Sequence, residues 1–178
     1  FGLVGFGAIA KKVAVRAKAC GMSVIAYDPY LDDAAFEKEG VARAREMTQV
    51  FAQADVVSLH LPSNRETYHV IDAAAFEAMQ DGVSFVNTAR GALVDTEALI
   101  AALRRGKVGA ASLDVFEEEP LPENSPLLEM DNVLLTPHAA YYSSDSLPEL
   151  QARSTDEVIR TLTGRENRRV FNKKELGL

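Results

Sequence analysis

The 178-residue sequence has one cysteine, three histidines, no tryptophan and only 7% aromatic residues. A single cysteine, Cys20, excludes an intrachain disulfide, so the fold must rest on its core. The histidines, His60, His69 and His138, have no metal-ligating spacing, and no metal is expected. No apolar run approaches the length that crosses a bilayer, and no secretory signal pattern is read. Basic residues are the minority: 19 Lys and Arg against 26 Asp and Glu leave a formal charge of −7. That argues against nucleic acid or an anionic membrane as the main partner. A cytoplasmic protein is the default. What is present is 47% hydrophobic residues, enough for the core of one domain.

The informative stretch comes first. Phe1-Gly2-Leu3-Val4 is an apolar run leading into Gly5-Phe6-Gly7-Ala8-Ile9-Ala10, and a helical pattern follows at once. A strand, a glycine turn and a helix N-terminus together form an anion site for a pyrophosphate. Gly5 permits the tight turn, and Gly7 carries no side chain to hold phosphates off the backbone. Ala10 is small enough for close packing of helix on strand. Ala8 and Ile9 should offer backbone N–H groups. Ile9, Val13, Ala17 and Cys20 share a helical spacing, which predicts one buried face with Cys20 as a small core residue. Gly21 stops the helix, and Val24 to Tyr27 form a second strand ending at Asp28. An acidic residue about 20 positions after the glycine turn is the partner of an adenine ribose. Its charge would repel a 2′-phosphate, and Arg43 and Arg45 are the nearest arginines, so NAD is favoured over NADP.

The pattern then alternates. Strands are predicted at 55–61, 83–87, 108–115 and 132–135, with a short edge strand at 40–45. Helices are predicted at 73–80, at 96–105 behind the cap Asp95, and at 145–163, stopped by Gly164. This is an α/β, doubly wound parallel sheet with helices on both faces. Residues 1–163 form a dinucleotide-binding domain, and 164–178 form a tail. The tail's Arg165, Arg168, Arg169, Lys173 and Lys174 read as a solvated face. The chain opens inside a strand, so it reads as a piece whose front is missing.

In such sheets ligands lie beyond the C-terminal strand ends. Those ends carry Gly5 and Gly7, Asp28, Leu61 and Pro62, Thr88-Ala89-Arg90-Gly91, Asp114 with Glu117-Glu118-Glu119-Pro120, and Thr136-Pro137-His138. One edge thus gathers an anion-binding turn, an arginine, carboxylates and a histidine. A methyltransferase would not explain Arg90, Glu119 and His138 together. A short-chain dehydrogenase needs a Tyr with a Lys four positions on, and no tyrosine here has one.

Three motifs in order, Val86-Asn87-Thr88-Ala89-Arg90-Gly91, Leu113-Asp114-Val115-Phe116-Glu117-Glu118-Glu119-Pro120 and Thr136-Pro137-His138-Ala139-Ala140, resemble the D-isomer-specific 2-hydroxyacid dehydrogenases. The resemblance covers nearly all of residues 1–163. His138 to Ser143, with Asn172-Lys173-Lys174, looks closest to the C-terminal-binding-protein branch, although Tyr141 stands where that branch has Trp. The resemblance implies hydride transfer between NAD and a 2-keto or D-2-hydroxy acid. It implies that Arg90 binds the substrate carboxylate through its planar fork. His138 would give and take the proton, with Glu119 paired to it so that the charged imidazole is favoured. Asp114 would reach the nicotinamide carboxamide, and Leu61, Pro62, Thr88 and Ala89 would line the ribose and nicotinamide. Glu117 and Glu118 read as solvated loop residues, His60 as a packed core histidine and His69 as a loop residue. A homodimer is implied, and a substrate domain is expected outside these residues, so the chain alone should bind NADH without appreciable turnover. The rival reading is an NADH-sensing corepressor or scaffold.

Overall fold

A computed structural model describes residues 1–167 and 170. The first compact unit is Phe1–Ala140. Its strands are β1 (Gly2–Val4), β2 (Ile25–Tyr27), β3 (Ala42–Ala44), β4 (Val56–Leu59), β5 (Val83–Asn87), β6 (Val108–Leu113) and β7 (Val133–Leu135). They form one sheet in the order β3-β2-β1-β4-β5-β6-β7. Every pairing is parallel. Helices α1 (Ala8–Ala19), α2 (Asp33–Glu37), α3 (Met47–Gln53), α4 (Ala73–Ala78) and α5 (Thr96–Arg104) connect them. The strand order reverses between β1 and β4, the place where open α/β sheets bind ligands. The expected doubly wound sheet is therefore present.

Side-chain alternation builds two cores. Leu3 and Ala26 join Phe6, Phe36 and Val41 on one face. Val4, Val57 and Leu59 join Phe76, Phe85 and Leu99 on the other. Phe6 and Phe36 stack with centroids 4.9 Å apart, a contact worth about 0.5–1.5 kcal/mol beyond its buried area. This stack ties the glycine turn to α2.

The buried face of α1 is Ala10, Ala14 and Ala17. Ile9 is 69% exposed, and Cys20 is exposed. The predicted face, Ile9-Val13-Ala17-Cys20, is thus rotated by about one residue. Val13 is only partly buried against the same core, which the methyl groups of Ala10, Ala14 and Ala17 fill. Cys20 is the C-cap and exposed, and the expectation of a core thiol is wrong.

Asp72 and Asp95 begin α4 and α5, each carboxylate accepting a backbone N–H three residues on. The sequence reading passed over α2 and α3, which have five and seven residues. Segments this short show barely one helical repeat. Helices do not cover both faces evenly. Ser84, Val86 and Ser112 are only partly buried, and Ala110 and Leu134 are exposed, leaving one face of β5–β7 open.

A second unit begins at Tyr141, inside the stretch read as one domain to 163. It contains α6 (Ser146–Leu162), which buries none of its own residues and exposes Leu150, Val158, Ile159 and Leu162. Arg168, Arg169, Asn172, Lys173 and Lys174 lie outside the described residues. Among the described residues no helix is long and apolar enough to cross a membrane.

Candidate active site

Gly5 has φ +90°, and a Cβ there would come within 2.8 Å of the His60 carbonyl. Only glycine combines that conformation with that approach. Gly7 is the N-cap of α1, and a Cβ built on it meets nothing within 4 Å. Ala8 and Ile9 follow as the exposed first residues of the helix. The first N–H groups of a helix have no partner within it, so this turn offers donors and the positive end of the dipole to an anion.

Asp28 follows β2. Its carboxylate accepts from Phe6 N–H at 2.9 Å and from Tyr30 N–H at 3.0 Å. The residue expected to hold the ribose therefore also holds the glycine turn. Gly5, Gly7, Asp28, His60, Leu61 and Pro62 are among the residues lining a cavity of about 320 Å³. His60 is largely buried and lies 3.0 Å from Ser58 Oγ. Burial lowers its pKa to about 4, so the ring is neutral, in line with its reading as a packed histidine.

Thr88, Ala89 and Arg90 follow β5. The buried Asn87 shapes this turn, accepting from Ala89 N–H at 3.0 Å and donating to the Arg90 carbonyl at 2.9 Å. Arg90 is exposed, and Nη1 donates to the Ala89 carbonyl at 2.5 Å. Gly91 comes next, and a Cβ there would fall 1.9 Å from the Phe116 carbonyl carbon and oxygen. That approach brings the loop after β6 against the loop bearing Arg90.

His138 Nδ1 lies 2.8 Å from Glu119 Oε2. The other Glu119 oxygen accepts from Phe116 N–H at 3.0 Å. Glu119 is held below the ordinary glutamate range, first by the bond to His138, then by the Phe116 amide, with Arg90 adding a coulombic pull. The His138 backbone is left-handed, φ +53°, uncommon for a residue with a side chain. Its N–H donates to the Asp114 carbonyl at 2.8 Å.

Asp114 is 3% exposed. Its carboxylate accepts from Thr136 Oγ1 at 2.5 Å and from the Ala139 and Ala140 N–H groups at 2.8 and 2.9 Å. Burial pushes its pKa up, but these three bonds outweigh burial and lower it. Asp114 thus fixes the loop that presents His138, the turn-capping role that stands beside its expected contact with the carboxamide.

Glu117 departs from the solvated-loop expectation. It lies 2.5 Å from His69 Nε2 and accepts from Thr96 N–H at 2.8 Å. Asn87, Thr136, His69 and Glu117 were all missed as site residues. Asn87, Glu117 and Thr136 stood inside quoted motifs, and their polar chemistry beside Arg90, Glu119 and His138 was the available signal.

The model of the D-isomer specific 2-hydroxyacid dehydrogenase NAD binding domain matches residues 1–140. The chain belongs to this family. Its NAD-binding domain coincides with the first compact unit. The chain is 44% identical over 163 residues to an (S)-sulfolactate dehydrogenase of Chromohalobacter salexigens, covering 90% of this chain and 52% of that protein. It is 38% identical over 171 residues to a D-3-phosphoglycerate dehydrogenase of Methanocaldococcus jannaschii, covering 96% and 32%. It thus spans about half or less of these relatives. The structure of a Lactobacillus jensenii D-lactate dehydrogenase with NAD+ superposes with a TM-score of 0.85 at 31% identity, covering 96% of this chain and 55% of that one. These relatives are named as dehydrogenases, and the corepressor reading gains no support from them. The turn, the exposed helix N-terminus and Asp28 suit the dinucleotide of this NAD-binding family.

Proposed function

We propose that the whole protein is an NAD-dependent D-2-hydroxyacid dehydrogenase acting on a small 2-keto or 2-hydroxy acid. The observation that carries this reading is the 2.8 Å contact between His138 Nδ1 and Glu119, on the sheet edge that also carries Arg90. Bound NADH supplies the hydride that reduces the keto carbon. Arg90 binds the substrate carboxylate through its guanidinium fork and orients the carbonyl. Glu119 grips Nδ1 of His138, which orients the ring and makes Nε2 the nitrogen that exchanges the proton with the substrate oxygen. The carboxylate of Glu119 keeps Nδ1 engaged while the proton moves at Nε2. In the reverse direction His138 is the base.

Gly5, Gly7, Ala8 and Ile9 hold the pyrophosphate, and Asp28 accepts from the adenine ribose and opposes a 2′-phosphate. Leu61, Pro62, Thr88 and Ala89 line the ribose and nicotinamide. Asp114 Oδ2, which accepts only one of the three bonds to this carboxylate, retains a lone pair for the carboxamide. The open face of β5–β7, with Leu134 64% exposed, suits a homodimer. A cytoplasmic location is part of this reading.

The test is an assay of full-length protein with NADH and a panel of 2-keto acids. Turnover of at least one is expected, with kcat/KM lowered about 100-fold in Arg90→Met, which removes the charged carboxylate clamp, about 3 kcal/mol. NADH binding without turnover of any acid overturns the proposal.

A further inference from the structure

A second histidine–carboxylate pair stands at the same sheet edge, and the reaction gives it no task. His69 Nε2 lies 2.5 Å from Glu117 Oε1. Three features fix this imidazole. Its backbone is left-handed, φ +49°. Tyr68 stacks on its ring with centroids 4.0 Å apart. Its N–H donates to the Ala92 carbonyl at 2.9 Å. A strained non-glycine backbone persists only where its surroundings enforce it, and such residues cluster at functional sites.

Glu117 is equally constrained. Its second oxygen accepts from Thr96 N–H at the start of α5, where a carboxylate meets the positive end of the helix. Glu117 lies two residues before Glu119, in the loop where Phe116 N–H donates to Glu119 Oε1. Displacing Glu117 therefore displaces the carboxylate that orients His138. On the other side, the 61–70 segment that carries His69 lines the cavity beside the glycine turn through Leu61, Pro62, Thr67 and Val70. The pair is a tie between the cofactor side and the proton-relay side.

We propose that His69 is a positioning residue that, through Glu117, holds the 116–119 loop so that Glu119 keeps its grip on His138. Its effect on turnover rests on the dehydrogenase reading above, whereas its effect on the loop does not. A pair acting only as a partly exposed ion bridge would contribute little, and equally in any background. A tie acting through Glu119 must lose its effect once Glu119 is gone.

The experiment is a double-mutant cycle in the full-length protein. His69→Leu should lower kcat about tenfold in the wild-type background and less than about twofold when Glu119 is already Gln. His69→Gln, which keeps an N–H for Glu117, should recover most of the rate. Equal losses in both backgrounds, or no loss in either, overturn the proposal. Amide hydrogen exchange in the same full-length protein gives a readout that needs no turnover. His69→Leu should speed exchange at Phe116 and leave the amides of β5 unchanged. Unchanged exchange at Phe116 overturns the tie. Faster exchange there, in a protein whose wild type turns over no keto acid, would sustain the tie and sink the dehydrogenase reading alone.

Discussion

Asp114→Asn is the substitution that most directly tests how the site is built. The side chains are nearly the same size, so packing is preserved and only the acceptor pattern changes. The aspartate accepts three bonds, two on Oδ1 from Thr136 and Ala139 and one on Oδ2 from Ala140. Asparagine has one acceptor oxygen. Whichever way its amide is turned, an NH2 group faces at least one backbone N–H. The variant loses at least one charge-assisted bond, worth about 1.5–3 kcal/mol, and is partly repaid because no charge need be buried. A net loss of about 2 kcal/mol follows, which lowers Tm by about 4–8 °C in a protein of this size.

The pH dependence adds a second signature. Asp114 titrates below its unfolded value in the folded chain. Its contribution is therefore complete above the unfolded pKa of about 3.9 and is lost as pH falls through the lower folded value. Urea unfolding should show a gap between wild type and Asp114→Asn that is constant at neutral pH and closes in acid. A gap below about 0.5 kcal/mol at pH 7 would refute the anchoring argument. So would a variant that melts normally and only binds NADH more weakly, because that is the behaviour of a carboxamide ligand.

Three further substitutions probe other parts of the edge. Gly91→Ala places a methyl group 1.9 Å from the Phe116 backbone and should cost about 3 kcal/mol or more; thermal melts check this, and a Tm within about 2 °C of wild type would refute it. Asp28→Ala removes the acceptor for Phe6 N–H as well as for the ribose, so the Kd for NADH should rise at least about tenfold, or 1.4 kcal/mol, by fluorescence titration; an unchanged Kd would sink the assignment. His60, held neutral by burial with a pKa of about 4, contributes stability that is complete above its unfolded pKa of about 6.5 and is lost as pH falls toward the folded value. His60→Gln should remove up to roughly 3 kcal/mol of that acid dependence, and an unchanged slope of stability between these values would count against it.

The fold was legible because the parallel strands read as mostly unbroken apolar runs, and because Gly21, Asp95 and Gly164 punctuate the helices. Two things were not legible. The short helices α2 and α3 offer too few turns to display a period. The inward face of α1 was misjudged because larger apolar side chains usually point inward, whereas here Ala10, Ala14 and Ala17 are the buried residues and Val13 is only partly covered. Ile9 is left exposed beside the glycine turn.

The polar residues at the strand ends were legible in the sequence, but the bonds their side chains make to neighbouring loops were not, for a reason that recurs around the edge. Asp28 after β2 accepts from an amide after β1, and Asp114 after β6 accepts from amides after β7. Glu117 accepts at the start of α5, and Glu119 accepts from Phe116 as well as pairing with His138. Each carboxylate that a sequence presents as a ligand is also an acceptor for a backbone group that no strand or helix satisfies. Loops at a parallel sheet's edge need such acceptors, because an unpaired buried amide is costly. The spacing of a motif records that a carboxylate is required, but not which neighbouring loop it must tie down. Strand order decides the second question, and adjacency in this sheet runs β2-β1 and β6-β7. The acidic residues of this edge therefore assemble the cofactor turn and the histidine loop before they can meet any substrate, and substituting them should disturb geometry and chemistry together.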